Sequence, residues 1–152
     1  MQDSIETFFY TNGITFEALG KRARGDLQQE WREVYASQVK AKTGKWILGA
    51  EDWLVFARDY SKHLHGVAAE EAYSHIRMVT SQFVVLFSNP QLPGWRCTAK
   101  VAPHFSSWVQ LMSTVPTFDI YLFSFNHSWT LVITHEEEFG PYFAYNVMQE
   151  AP

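Results

Sequence analysis

Three observations predict an α+β fold in which N-terminal helices pack on a mostly antiparallel sheet formed largely by the C-terminal half. Apolar residues recur at helical spacing through Leu27, Trp31, Val34, Tyr35 and Val39. Beyond Met78 the pattern gives way to short, continuous runs rich in strand formers, Phe83 to Phe87 and Phe118 to Phe125. Helices first and strands later, without regular alternation, argue against a doubly wound parallel sheet and for helices on one face of an antiparallel one.

Residues 1–25 contain Gly13, Gly20 and Gly25, which weigh against one regular helix through all of them. A helix is predicted from Asp26, with Asp26 as its cap, Gln29 reaching back and Gly44 as its end. A second is predicted near Glu51 to Tyr60, with Trp53, Phe56, Ala57 and Tyr60 on one side. The polar segment Ser61 to Gly66 separates it from a third, near Val67 to Arg77. Phe83 to Phe87 is a buried strand ending at Ser88-Asn89-Pro90. Gln91-Leu92-Pro93-Gly94 is turn chemistry, because proline fixes φ and glycine tolerates a positive one. Trp95 to Val101 follows as a strand, and Pro103 introduces a short helix through Phe105, Trp108 and Met112. Ile120 to Phe123 is apolar on both faces and so belongs at the centre of the sheet. Asn126-His127-Ser128 turns it into a second strand through Trp129 to Ile133, and Tyr142 to Val147 adds an edge strand.

A chain of 152 residues forms a single domain and hides roughly 70% of its surface on folding, enough for one core. Residues 1–15 and 147–152 are the expected loosely ordered ends. At 47% hydrophobic and 16% aromatic, the composition excludes a disordered chain. Net charge is -4, and the basic residues gather only at Lys21-Arg22-Ala23-Arg24 and at Lys40, Lys42 and Lys45, so no concentrated phosphate-binding face is expected. The single cysteine, Cys97, excludes an internal disulfide and suits a reducing compartment. No export signal is evident in the acidic start, and no run approaches the ~20 apolar residues of a membrane span. A cytoplasmic protein is the expectation.

The chain carries no Gly-rich phosphate loop, Gly-x-Ser-x-Gly elbow or dinucleotide fingerprint, so neither a cofactor nor a catalytic residue is assigned. His135 with Glu136, Glu137 and Glu138 is the strongest polar cluster, able in principle to bind a metal or transfer a proton. Neighbours on a strand diverge, however, and no second histidine is placed for a metal, so a solvated loop with His135 ordering the bend is the commoner arrangement. His63 and His65, with His75 beyond, read as surface histidines. Cys97 beside Arg96 reads as a small buried hydrophobe before it reads as a nucleophile. Trp95 and Arg96, in the Pro-Gly corner, are candidates for contacting a partner.

Asp119-Ile120-Tyr121, Ser128-Trp129-Thr130, Thr134-His135-Glu136 and Gly140-Pro141-Tyr142-Phe143 together resemble a small bacterial family known only as domain of unknown function 4275. Upstream, Trp31 to Ala36 and Trp53 to Phe56 resemble two further motifs, and the likeness runs from about residue 16 to 145. Phe139 stands where many relatives are expected to have cysteine. The resemblance implies a bacterial, single-domain, cytoplasmic protein and no established activity. Two functions are therefore carried forward. One is a non-enzymatic binding protein, an immunity protein that neutralises a toxin domain by covering it, with Trp95, Arg96, Glu137 and Glu138 among its contacts. The other is an enzyme or a small-ligand or metal-binding protein with a pocket lined by Trp129, His135, Glu136 and Tyr142, at the ends of strands.

Overall fold

A computed structural model describes residues 1–39, 51–114, 118–136 and 138–146. Helix α1 spans Gln2–Thr11, β1 Thr15–Leu19, α2 Lys21–Tyr35, α3 Leu54–Ala57, β2 Leu64–His65, α4 Val67–Ile76, β3 Gln82–Phe87, β4 Gly94–Thr98, α5 Phe105–Met112, β5 Ile120–Ser124, β6 Trp129–Ile133 and β7 Tyr142–Tyr145. A 3-10 turn at Arg77–Val79 follows α4. The strands form one seven-stranded sheet in the order β1-β4-β3-β5-β6-β7-β2, with every pairing antiparallel. This is the α+β architecture that the residue patterns predict. No helix among the described residues is long and apolar enough to cross a membrane.

The helices cover both faces of the sheet rather than one. Strand alternation divides the core: Phe83, Val85, Phe87, Ile120, Leu122, Trp129, Leu131 and Phe143 pack with α1, α4 and α5. Val84, Leu86, Tyr121, Phe123, Val132 and Tyr142 pack with α2 and α3. Double coverage explains why β5 is apolar at every position, and β5 is indeed the central strand, fourth of seven. The two layers also meet polar demands. Trp31 Nε1 of α2 donates to Thr130 Oγ1 at 2.9 Å, and that hydroxyl donates to Leu122 O at 2.8 Å, so a fully buried threonine leaves no group unsatisfied.

Several helical boundaries differ from expectation, and the helix expected near Glu51 to Tyr60 is the single turn Leu54–Ala57. Residues 1–15, expected to be loosely ordered, include α1, whose Ile5 and Phe9 lie one turn apart and are fully buried. Asn12 and Gly13, the latter at φ +69°, end that helix and reverse the chain into β1, with Ile14 N donating to Phe9 O at 2.9 Å. Helix α2 starts at Lys21, after an extended Gly20, so Asp26 lies inside it and is not its cap. The buried stripe Arg24, Leu27, Trp31 and Tyr35 has helical spacing from its first turn, and packing outweighs the cost of Gly25. Strand β7 is not an edge, because the two-residue β2 pairs outside it. Helix α2 also ends at Tyr35, with Ala36 as its C-cap, well before the end expected at Gly44. Gly44 itself, Glu137 and residues 147–152 lie outside the described residues.

Candidate functional site

Two places at opposite ends of the central strands gather polar or exposed groups. The first lies where β5 begins and β6 ends. The turn at Asn126 to Ser128 fixes a hairpin register that sets Ile120 opposite Ile133, which brings Asp119 beside Thr134 and His135. Asp119 is 1% exposed, and both of its oxygens are used. Oδ2 accepts from Trp53 Nε1 at 2.9 Å. Oδ1 accepts the His135 backbone N–H at 2.8 Å and lies 2.6 Å from His135 Nδ1. Its own N–H donates to Ser88 Oγ at 2.9 Å. Trp53 N donates in turn to the Tyr121 hydroxyl at 3.0 Å. Beyond it, Thr134 Oγ1 binds the carbonyls of Phe139 and Glu136, closing the corner over Gly140 at φ +78°.

The hydrogen bond to Asp119 raises the His135 pKa above its ordinary value, aided by the charges of Asp119 and Glu136 and opposed by partial desolvation. Its Nε2 lies 3.6 Å from Glu136 Oε1. A buried carboxylate that orients an imidazole is the supporting half of a general-base device. The reacting half is missing among the described residues, because no hydroxyl or thiol is hydrogen-bonded to Nε2. With Nδ1 on Asp119 and Nε2 facing Glu136, His135 is suited to clasping the corner, the ordering role favoured by the sequence.

The second place lies at the other end of the same strands. An open groove of ≈ 320 Å³ runs between the turn after α4 and the β5–β6 hairpin. Val79 and Phe125 line it, 81% and 39% exposed, and Met78 beside Val79 is 58% exposed. Trp129 forms part of its wall while staying 2% exposed, and Ser81, Gln82, Asn126 and Ser128 rim it with uncharged donors and acceptors.

The structure scatters the candidate residues. His135, Glu136 and Tyr142 belong to one corner, and Glu138 there is exposed. Tyr142 is 3% exposed, its ring packed by Trp53, Phe56, His63 and His65, so it supports the corner from within. Trp129 stands at the far end of β6 in the opposite core layer, so it cannot share a pocket with His135. Trp95 is fully buried. Its ring packs on Phe9 and Phe87, and its Nε1 donates to Glu6 Oε2 at 2.9 Å, which corrects its reading as an exposed anchor. Arg96 is exposed on β4 with Glu17 beside it in register. Cys97 is fully buried, and burial pushes its thiol up to about 12, away from nucleophilic use.

Sequence reasoning missed Asp119, Trp53, Val79 and Phe125 as site residues. Asp119 had a signal: it is the one charge inside the apolar run Phe118 to Phe125. Among the described residues no group of three His, Cys, Asp or Glu side chains is placed to hold a metal ion. No family model, no curated protein and no solved structure matches the chain.

Proposed function

We propose that the protein is a non-enzymatic protein-binding module that docks a partner on the groove between the Arg77–Val79 turn and the β5–β6 hairpin. The observation that carries this reading is the exposure of Val79 and Phe125 in one groove, with exposed Met78 next to Val79 in the chain. Large side chains that could have been buried are presented to solvent inside a polar, uncharged rim, the composition of an interface centre and its border. The specific form proposed is a bacterial immunity protein that neutralises a cognate toxin domain by covering it. Net charge of -4 supports a cationic partner, whose encounter it would accelerate.

The test is affinity capture from the source cells with the wild type and with Val79→Asp and Phe125→Ser variants. One stoichiometric protein, retained by the wild type and lost by both folded variants, is the expected result. If that protein is a toxic domain whose activity disappears in the complex, the immunity reading stands. Equal retention by both variants overturns the docking surface. A second reading, a small-ligand protein, draws on the Asp119–His135 pair. It requires a ligand whose binding a folded His135→Ala variant loses.

A further inference from the structure

Near Asp119, on the α2 face of the sheet, lies a partly open hollow of ≈ 50 Å³ that neither functional reading uses. Arg24 lines it from α2. Its guanidinium belongs to a residue only 9% exposed. Nη2 donates to Phe87 O at 2.5 Å and reaches Asn89 O at 3.4 Å, while Nε is buried with no hydrogen-bond partner. No carboxylate forms an ion pair with Arg24 among the described residues. Asp52, the acid whose charge acts on Arg24, is held instead by Arg32 Nε at 3.0 Å and by Gln28 Nε2 at 3.0 Å. Desolvation lowers the Arg24 pKa, and Asp52 only partly opposes it. A buried cation bonded to carbonyls and without an ion-pair partner among the described residues is costly, and an anion against Nε would relieve that cost.

The surroundings narrow that anion. Ser88 and Tyr121 also line the hollow. Each hydroxyl already accepts a hydrogen bond, from Asp119 N and Trp53 N respectively, which leaves its own proton to donate. Burial raises the Tyr121 pKa well above the usual value, so it stays a neutral donor. Trp31, Leu86 and Phe87 supply the apolar remainder of the wall. Asp52 is matched by Arg32, and Glu51 also stands at the wall opposite the single charge of Arg24, so the site tolerates at most one added negative charge and disfavours two. At roughly 10–15 Å³ for each water, the volume admits about four waters or a molecule of about four to six heavy atoms.

We propose that this hollow is a binding site for a short-chain monocarboxylate, its carboxylate held by Arg24 Nε with Ser88 and Tyr121, and its tail against Trp31, Leu86 and Phe87. It lies at the opposite end of β3 and β5 from the docking groove, and either proposal can fail without the other.

The experiment titrates ¹⁵N-labelled full-length protein with sodium propionate at constant ionic strength, reading the arginine Nε–H resonances. One resonance, identified by its absence in Arg24→Lys, should shift saturably. Propanol and propylammonium should leave it unmoved, and phosphate should bind more weakly. Ser88→Ala, an exposed position expected to preserve the fold, should weaken binding roughly tenfold or more, the effect of losing one hydrogen bond to a charged group. Absence of saturation, phosphate binding as tightly as propionate, or unchanged affinity in a folded Ser88→Ala variant would each overturn the site.

Discussion

Replacing Asp119 tests whether the β5–β6 corner is a clasp. Asp119→Ala removes the acceptor of Trp53 Nε1, a side chain 2% exposed, and the acceptor of His135 N and Nδ1. A buried donor left unmet costs about 1–3 kcal/mol. The half-buried His135 amide can recruit water at lower cost, and the imidazolium loses its ion partner. Together these give about 3–5 kcal/mol, the range for breaking one side of a buried charged pair. That is a large fraction of the 5–15 kcal/mol typical of whole domains. Asp119→Asn keeps the shape but turns an amide N–H toward one of the former donors, so about 1–3 kcal/mol is expected. Urea unfolding followed by tryptophan fluorescence measures both. The penalty also has a predicted pH dependence. Because the folded His135 pKa is raised, its contribution is fully present below the unfolded value of about 6.5 and disappears as pH rises through the higher folded value. Wild type and Asp119→Asn should therefore converge partly as pH rises above about 6.5 and through the higher folded value, and His135→Gln should show the same narrowing. A penalty below about 1 kcal/mol for Asp119→Ala, or a gap that widens toward alkaline pH, would refute the clasp.

Cys97, with its thiol pushed up to about 12, should react with a disulfide reagent only when the domain opens. Its rate should rise with urea in parallel with unfolding, and fast labelling of the native protein would contradict its burial. Gly94→Ala places a Cβ 2.6 Å from Leu86 Cδ2, between β4 and the α2 layer. About 1–3 kcal/mol of destabilisation is expected, measured by the same unfolding curves and partly relieved by Leu86→Val. Trp31→Phe deletes the donor to Thr130 while keeping most of the ring contacts with Tyr35, Phe56 and Tyr121. A loss of about 1–3 kcal/mol should follow, largely recovered by no substitution at Thr130 that keeps the hydroxyl.

The strands from β3 onward were legible because their signal is local, whereas β1 and β2 were not foreseen. Ile120 to Phe123 is apolar on both faces, and only a doubly covered central strand needs that. The helix starts were less legible because the decisive forces act at a distance. Gly25 and Asp26 suggest a boundary, yet Arg24 and Leu27 are already engaged by the sheet, and tertiary packing carries the helix back to Lys21. Trp95 fails for the same reason. A Pro-Gly corner suggests exposure, but α1 covers that end of the sheet, and Phe9 and Glu6 close over the indole. The polar corner divides along the same line. His135 and Glu136 announce themselves as adjacent residues, whereas Asp119, sixteen positions earlier, acquires its meaning only through the hairpin register. That register was itself within reach. A tight turn at Asn126 to Ser128 pairs outward residue by residue, and following it to the strand ends would have set the one charge of the β5 run beside the one histidine of the next. Arg24 lies three residues before Leu27, outside the helix expected from Asp26, and only the extension of α2 back to Lys21 puts its cation on the buried stripe, where it asks for a counter-charge.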